Sequence, residues 1–166
     1  MKLKINIALL SLFMVFLNIA CDKEAENQPL EFSGKLISHT DCKHLKSSNF
    51  ENNQSCVEYI FDKQNNKLSI THINTGFNCC PDSLWCTISK TENKIIIEEF
   101  EASLGCKCNC LYDFEIELEG IEQEKYTIQF IEPYCGEQEE LIFEVDLSEN
   151  ITGSFCVTRI IYPWGI

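Results

Sequence analysis

Basic residues are scarce in this chain: Lys and Arg number 13 against 26 Asp and Glu, for a formal net charge of −13. No stripe of Lys or Arg offsets that charge. A surface this acidic repels phosphate backbones and anionic headgroups, which excludes nucleic acid as a partner and polybasic adhesion to lipid. Helical periodicity is missing as well, and no repeat of roughly 20 to 50 residues is visible. The chain contains no Gly-x-Ser-x-Gly elbow, phosphate-cradling glycine loop, His-Glu-x-x-His helix or Asp-x-Asp-x-Asp-Gly calcium loop. Nor does it hold a Cys-x-x-Cys at a helix start, the arrangement that lowers a redox thiol's pKa. Glu98-Glu99 and Glu139-Glu140 read as solvated charge, because adjacent residues of a strand face opposite ways and neither pair makes a catalytic dyad. No catalytic residue is assigned, and an enzyme of unrecognised type is the weakest functional expectation.

What is present begins at the first residue. Met1-Lys2-Leu3-Lys4 is a short basic segment, and Ile5 to Ala20 is uncharged and dominated by Ile, Leu, Phe, Val and Met. A membrane span needs about 20 apolar residues to cross about 30 Å of hydrocarbon. This run is shorter, is interrupted by Asn6, Ser11 and Asn18, and ends at a small residue directly before a cysteine. It is therefore expected to be a cleaved signal peptide, residues 1–20. Leu17-Asn18-Ile19-Ala20-Cys21 has the form of a lipobox, although Asn18 stands where Leu is usual and Leu17 lies one place further out. Lipidation of Cys21 is the expectation, with ordinary secretion as the alternative. Two acyl chains, at about 0.8 kcal/mol per buried CH₂, anchor a protein stably.

Asp22-Lys23-Glu24-Ala25-Glu26 then resembles the acidic tag of lipoproteins displayed on the outer leaflet, which implies an outer-membrane and surface-exposed location. Residues 21–29 read as a flexible acidic tether, and residues 30–166 as a single β domain.

Within that domain the dominant signal is cysteine. Beyond Cys21 lie Cys42, Cys56, Cys79, Cys80, Cys86, Cys106, Cys108, Cys110, Cys135 and Cys156. An even number in an exported domain predicts disulfides, although the count alone cannot choose the pairing.

The rest of the domain alternates with period two. Val57, Tyr59 and Phe61 lead through Lys63 to Lys67 into Leu68, Ile70 and His72, a hairpin signal. Trp85 to Ser89 and Lys94 to Glu98 repeat it around a Thr-Glu-Asn turn. The clearest alternation runs from Cys106 to Glu119 and puts Cys106, Cys108, Cys110, Tyr112, Phe114, Ile116 and Leu118 on one face, with Glu115, Glu117 and Glu119 opposite. A bend is expected near Cys110 or Leu111, since the run is long for one strand. Tyr126, Ile128 and Phe130, then Leu141, Phe143, Val145 and Leu147, continue the pattern, and Ser154 to Tyr162 is the expected last strand, capped by Pro163-Trp164-Gly165. Seven to nine strands in mostly antiparallel order describe an all-β fold, a disulfide-stapled sandwich or flattened barrel.

Two cysteine groups look like partners: Asn78-Cys79-Cys80-Pro81 with Cys86 close behind, and Cys106-Lys107-Cys108-Asn109-Cys110. Alternate residues of a strand lie about 6.6 Å apart, beyond the usual span of about 5.5 Å, so bridges run across strands rather than along one. The alternative is a soft-metal cluster in which His72 joins Cys79, Cys80, Cys106, Cys108 and Cys110 around copper or zinc. Against it stands the lack of paired Cys-x₂-Cys knuckles, and His72 alone reads first as a histidine hydrogen-bonded within its strand. The Cys-Cys-Pro and Cys-x-Cys-x-Cys-Leu-Tyr-Asp motifs resemble those of a group of exported bacterial lipoproteins, a resemblance that covers about a quarter of the chain and implies no activity. The function expected is a binding or structural module at the cell envelope, tethered to the membrane by lipid and facing an envelope or extracellular partner. The rival is an envelope metal-binding protein.

Overall fold

The computed structural model describes residues 30–43, 53–102 and 105–161. The expected signal peptide, Cys21, the tether and the Pro163-Trp164-Gly165 cap lie outside these residues. The described residues form nine strands: β1 (Ser33–His39), β2 (Gln54–Asp62), β3 (Lys67–Asn78), β4 (Ser83–Thr91), β5 (Lys94–Ala102), β6 (Asn109–Glu119), β7 (Lys125–Ile131), β8 (Ile142–Asp146) and β9 (Thr152–Thr158). They build two sheets, one ordered β1-β6-β3-β2-β9 and the other β4-β5-β7-β8. All pairings are antiparallel except β5 with β7. The fold is all-β, with two sheets packed face to face.

Period-two alternation decides which face of each strand enters the core. On β6, Phe114, Ile116 and Leu118 are buried while Glu115 is exposed, as the parity argument expects. Val57, Phe61, Leu68, Ile70 and Phe77 complete that side of the core, and Ile95, Ile97, Tyr126, Ile128, Phe130, Phe143 and Val145 face them from the other sheet. Each such side chain contributes about 1.5 to 3 kcal/mol by leaving water. The two expected hairpins close on residues in the left-handed region, Asn66 (φ 52°) after β2 and Glu92 (φ 52°) after β4. Asp62 holds the first turn by accepting from Gln64 N at 2.9 Å and from Asn65 Nδ2 at 2.6 Å. Gly34 marks a close approach between sheets, since a Cβ there would meet Ile88 Cδ1 and Leu118 Cδ2 at 2.8 Å.

Two strand boundaries differ from expectation. The strand expected from Cys106 begins at Asn109, because its partner β3 ends at Asn78, the residue paired with Asn109. Cys106 and Cys108 therefore lie in the preceding loop and are exposed rather than set on the apolar face. The last strand stops at Thr158, and Arg159 turns its side chain into the interior instead of continuing the ladder.

Candidate functional site

Five apolar alternations end on a polar residue that keeps the inward parity. Ser55 precedes Val57, Tyr59 and Phe61; His72 follows Leu68 and Ile70; Glu99 follows Ile95 and Ile97; Glu132 follows Ile128 and Phe130; and Arg159 follows Val157. All five meet between the sheets. Ser55, His72 and Arg159 are wholly buried and Glu99 is 1% exposed. Ser55 Oγ lies 2.9 Å from His72 Nε2, and His72 Nδ1 lies 2.7 Å from Glu99 Oε1. Thr75 Oγ1 donates to the other oxygen of Glu99 at 2.6 Å. Glu132 receives Arg159 Nη2, while Arg159 Nη1 donates to Glu139 O and to Cys135 Sγ, both at 2.7 Å.

A β-bulge makes this possible. His72 and Thr75 are three residues apart, so an unbroken strand would set them on opposite faces. The register of β3 against β6 shifts between Ile73 and Thr75, with Asn74 at φ 65°, and both side chains then point to Glu99. Asp113 holds the bulge, accepting from Asn74 N at 2.9 Å and pairing with Lys43.

The spacing of Ser55, His72 and Glu99 is that of a nucleophile, a base and its orienting carboxylate. All three side chains lie in the interior, beside Glu132 and Arg159. Burial opposes charge on His72, but the attraction and hydrogen bond of Glu99, with Glu132 adding, outweigh it and raise the imidazole pKa above its ordinary value. In its protonated form His72 donates from both nitrogens, and Ser55 Oγ then accepts from Nε2. His72 lies against Glu99 and Glu132, Arg159 pairs with Glu132, and the group clamps one sheet to the other. Among the described residues Glu132 Oε1, 3.9 Å from His72 Nε2, has no hydrogen-bond partner, and burial raises the pKa of this carboxyl.

The cysteines occupy a different region. Four disulfides form: Cys42 with Cys110, Cys56 with Cys156, Cys79 with Cys108 and Cys80 with Cys106, at Cα separations of 5.6, 4.1, 5.5 and 6.0 Å. The two cysteine groups are thus partners and their bridges cross between segments, as expected. Cys110 leaves its group to join Cys42. Cys86 and Cys135, expected among the bridged residues, are unbridged among the described residues. Cys86 stands on β4 opposite Glu99, away from the Cys79-Cys80 bend, and burial, then Glu99, push its thiol up to about 11. Cys135 sits against Arg159, and burial, then Glu132, raise its thiol as well.

Sγ atoms of Cys79, Cys106 and Cys108 lie within 4.8 Å of one another. His72 is not among them: it stands seven residues back along β3 with both ring nitrogens engaged by Ser55 and Glu99. The expectation that Glu99 is solvated is also corrected. The signal that would have found it is parity, since Ile95 and Ile97 put position 99 on the inward face; Glu98, its neighbour, faces the other way. Glu132 and Arg159 were missed for the same reason, and Thr75 was hidden by the bulge. No protein-family model, curated protein or solved structure matches this chain.

Proposed function

We propose that this chain is an exported bacterial lipoprotein, anchored through lipid on Cys21, whose disulfide-stapled sandwich serves as a binding or structural module at the cell envelope. The observation that carries this reading is the set of four cysteine pairs at bridging distance in a domain preceded by a basic segment, an apolar run and Ala20-Cys21. Such bridges persist outside the reducing cytosol. The acidic residues after Cys21 favour display from the outer membrane toward an envelope or extracellular partner. Replacing Cys21 with Ser should abolish incorporation of labelled fatty acid and move the domain from the membrane fraction into the soluble one; label that persists in this variant overturns the proposal.

A second reading, envelope metal binding, is favoured by one observation, the convergence of the Cys79, Cys106 and Cys108 sulfurs. Thiolates suit Zn(II) or Cu(I). It takes its donors from the sulfurs and leaves His72 to the core.

A further inference from the structure

We infer that Cys79, Cys80, Cys106 and Cys108 form a redox-gated metal site, closed as two neighbouring bridges and opened to a thiophilic cation when a dithiol reduces them. The inference rests on the metal-binding reading and deepens it by naming the four donors and the condition under which they bind.

Both bridges join the same two segments, the bend at Cys79-Cys80 after β3 and the loop before β6. Opening them releases four thiols in one place. Cys80, Cys106 and Cys108 are exposed, so an attacking thiolate reaches them, whereas Cys110 of the neighbouring bridge is 2% exposed. An open depression of about 580 Å³ beside the cluster, lined in part by His39, Asp41, Cys79, Cys80 and Tyr112, gives a reductant room to approach.

The segments are also held without sulfur. Cys79 N donates to Cys108 O at 3.1 Å, Asn78 Nδ2 donates to Cys106 O at 2.7 Å, and Cys80 N donates to Asn78 Oδ1 at 3.1 Å. Asn78 is itself fixed, its N–H donating to Glu101 Oε2 at 2.7 Å and its carbonyl accepting from Tyr112 at 3.0 Å. The backbone that carries the four sulfurs is therefore held in place when the bridges open, and the thiols separate within one small region. Tetrahedral zinc with Zn–S bonds of about 2.3 Å sets its sulfurs about 3.8 Å apart; three of the four, Cys79, Cys106 and Cys108, already lie within 4.8 Å of one another, and Cys80 is held beside them through its bridge to Cys106.

The chemistry balances. One thiolate of the dithiol bonds to a bridge sulfur and displaces that sulfur's partner; the dithiol's second thiolate then bonds to its first sulfur, breaking the mixed disulfide and releasing the remaining protein thiolate together with a cyclic disulfide. Each bridge takes up two electrons and two protons, and each dithiol is oxidised to a disulfide. Zn(II) next replaces the four thiol protons without changing oxidation state. Two equivalents of a disulfide oxidant, each accepting two electrons and becoming two thiols, re-form both bridges and expel the metal.

The test treats the full chain with increasing concentrations of a dithiol under anaerobic conditions, maps thiols by alkylation and mass spectrometry, and titrates zinc alone as the probe. Cys79, Cys80, Cys106 and Cys108 should become alkylated before Cys42 and Cys110, and that form should bind one zinc per chain, protect the four thiols from alkylation and release the zinc on reoxidation. His72→Ala should retain uptake. The double variant Cys80→Ser, Cys106→Ser should lose tight binding, with circular dichroism showing that it remains folded. Zinc uptake that appears only after Cys42–Cys110 has also opened overturns the gating while the metal-binding reading stands. Selective opening with no zinc uptake overturns both.

Discussion

At the scale of single residues, the buried polar group carries the sharpest expectation. His72 has a folded pKa above its ordinary value, so the folded chain keeps a proton that the unfolded chain gives up as pH rises past about 6.5. Its contribution is complete below that pH and is lost as pH climbs through the folded value. Glu132, also raised, acts in the same direction, because the folded state again holds the proton to higher pH than the unfolded one. Urea unfolding between about pH 6 and about pH 9 should therefore show stability falling as pH rises, and His72→Gln should flatten that slope while lowering stability at the acidic end. A slope unchanged by the substitution would mean that His72 is neutral in the folded protein. The same cluster bears on Cys86, whose thiol at about 11 should resist alkylation at neutral pH in the folded state and react once the chain is denatured.

At the scale of strands, alternation assigns faces and hydrogen-bond partners assign ends. Phe114, wholly buried on β6, packs against Phe77 with ring centroids 5.1 Å apart. Truncating it to Ala should cost about 3 to 5 kcal/mol, as loss of a buried aromatic does. Glu115 points to solvent from the same strand, and Glu115→Ala should change stability by no more than about 0.5 kcal/mol. Denaturant melts of the two variants check the face assignment, and equal losses would refute it. Strand ends were less legible. Parity continues smoothly from Asn109 back to Cys106, and nothing local announces that β3 has stopped supplying a partner. The bulge at Asn74 was equally hidden, since it depends on Asp113, 39 residues away, accepting from its N–H.

For the whole molecule, the bridge between Cys56 and Cys156 has the longest reach, joining β2 to β9 across a sequence separation of 100. A loop of that length carries a closure entropy worth about 4 to 5 kcal/mol in the unfolded chain. Replacing both cysteines with Ala should lower unfolding stability by about 2 to 5 kcal/mol, measured beside the Cys79→Ala, Cys108→Ala pair, whose separation of 29 predicts a smaller loss. A greater loss from the shorter loop would show that native contacts, and not chain entropy, set the order. The polar clamp acts at this scale too: His72 and Thr75 belong to one sheet and Glu99 to the other, so the sandwich is joined by hydrogen bonds as well as by apolar packing.

By itself the sequence determined the all-β class, the two hairpins, the inward face of most strands and the partnership of the Cys79-Cys80 and Cys106-Cys108 segments. Each of these follows from local chemistry: the twofold pleat, the turn residues and the reach of a disulfide. Tertiary structure alone decided that Cys110 pairs with Cys42, that Cys86 and Cys135 are unbridged among the described residues, and that Glu99, Glu132 and Arg159 share the core with His72. Those outcomes depend on which strands become neighbours and where each ladder ends. A carboxylate beside an isoleucine run reads as surface until a histidine and a threonine arrive from the opposite sheet to receive it.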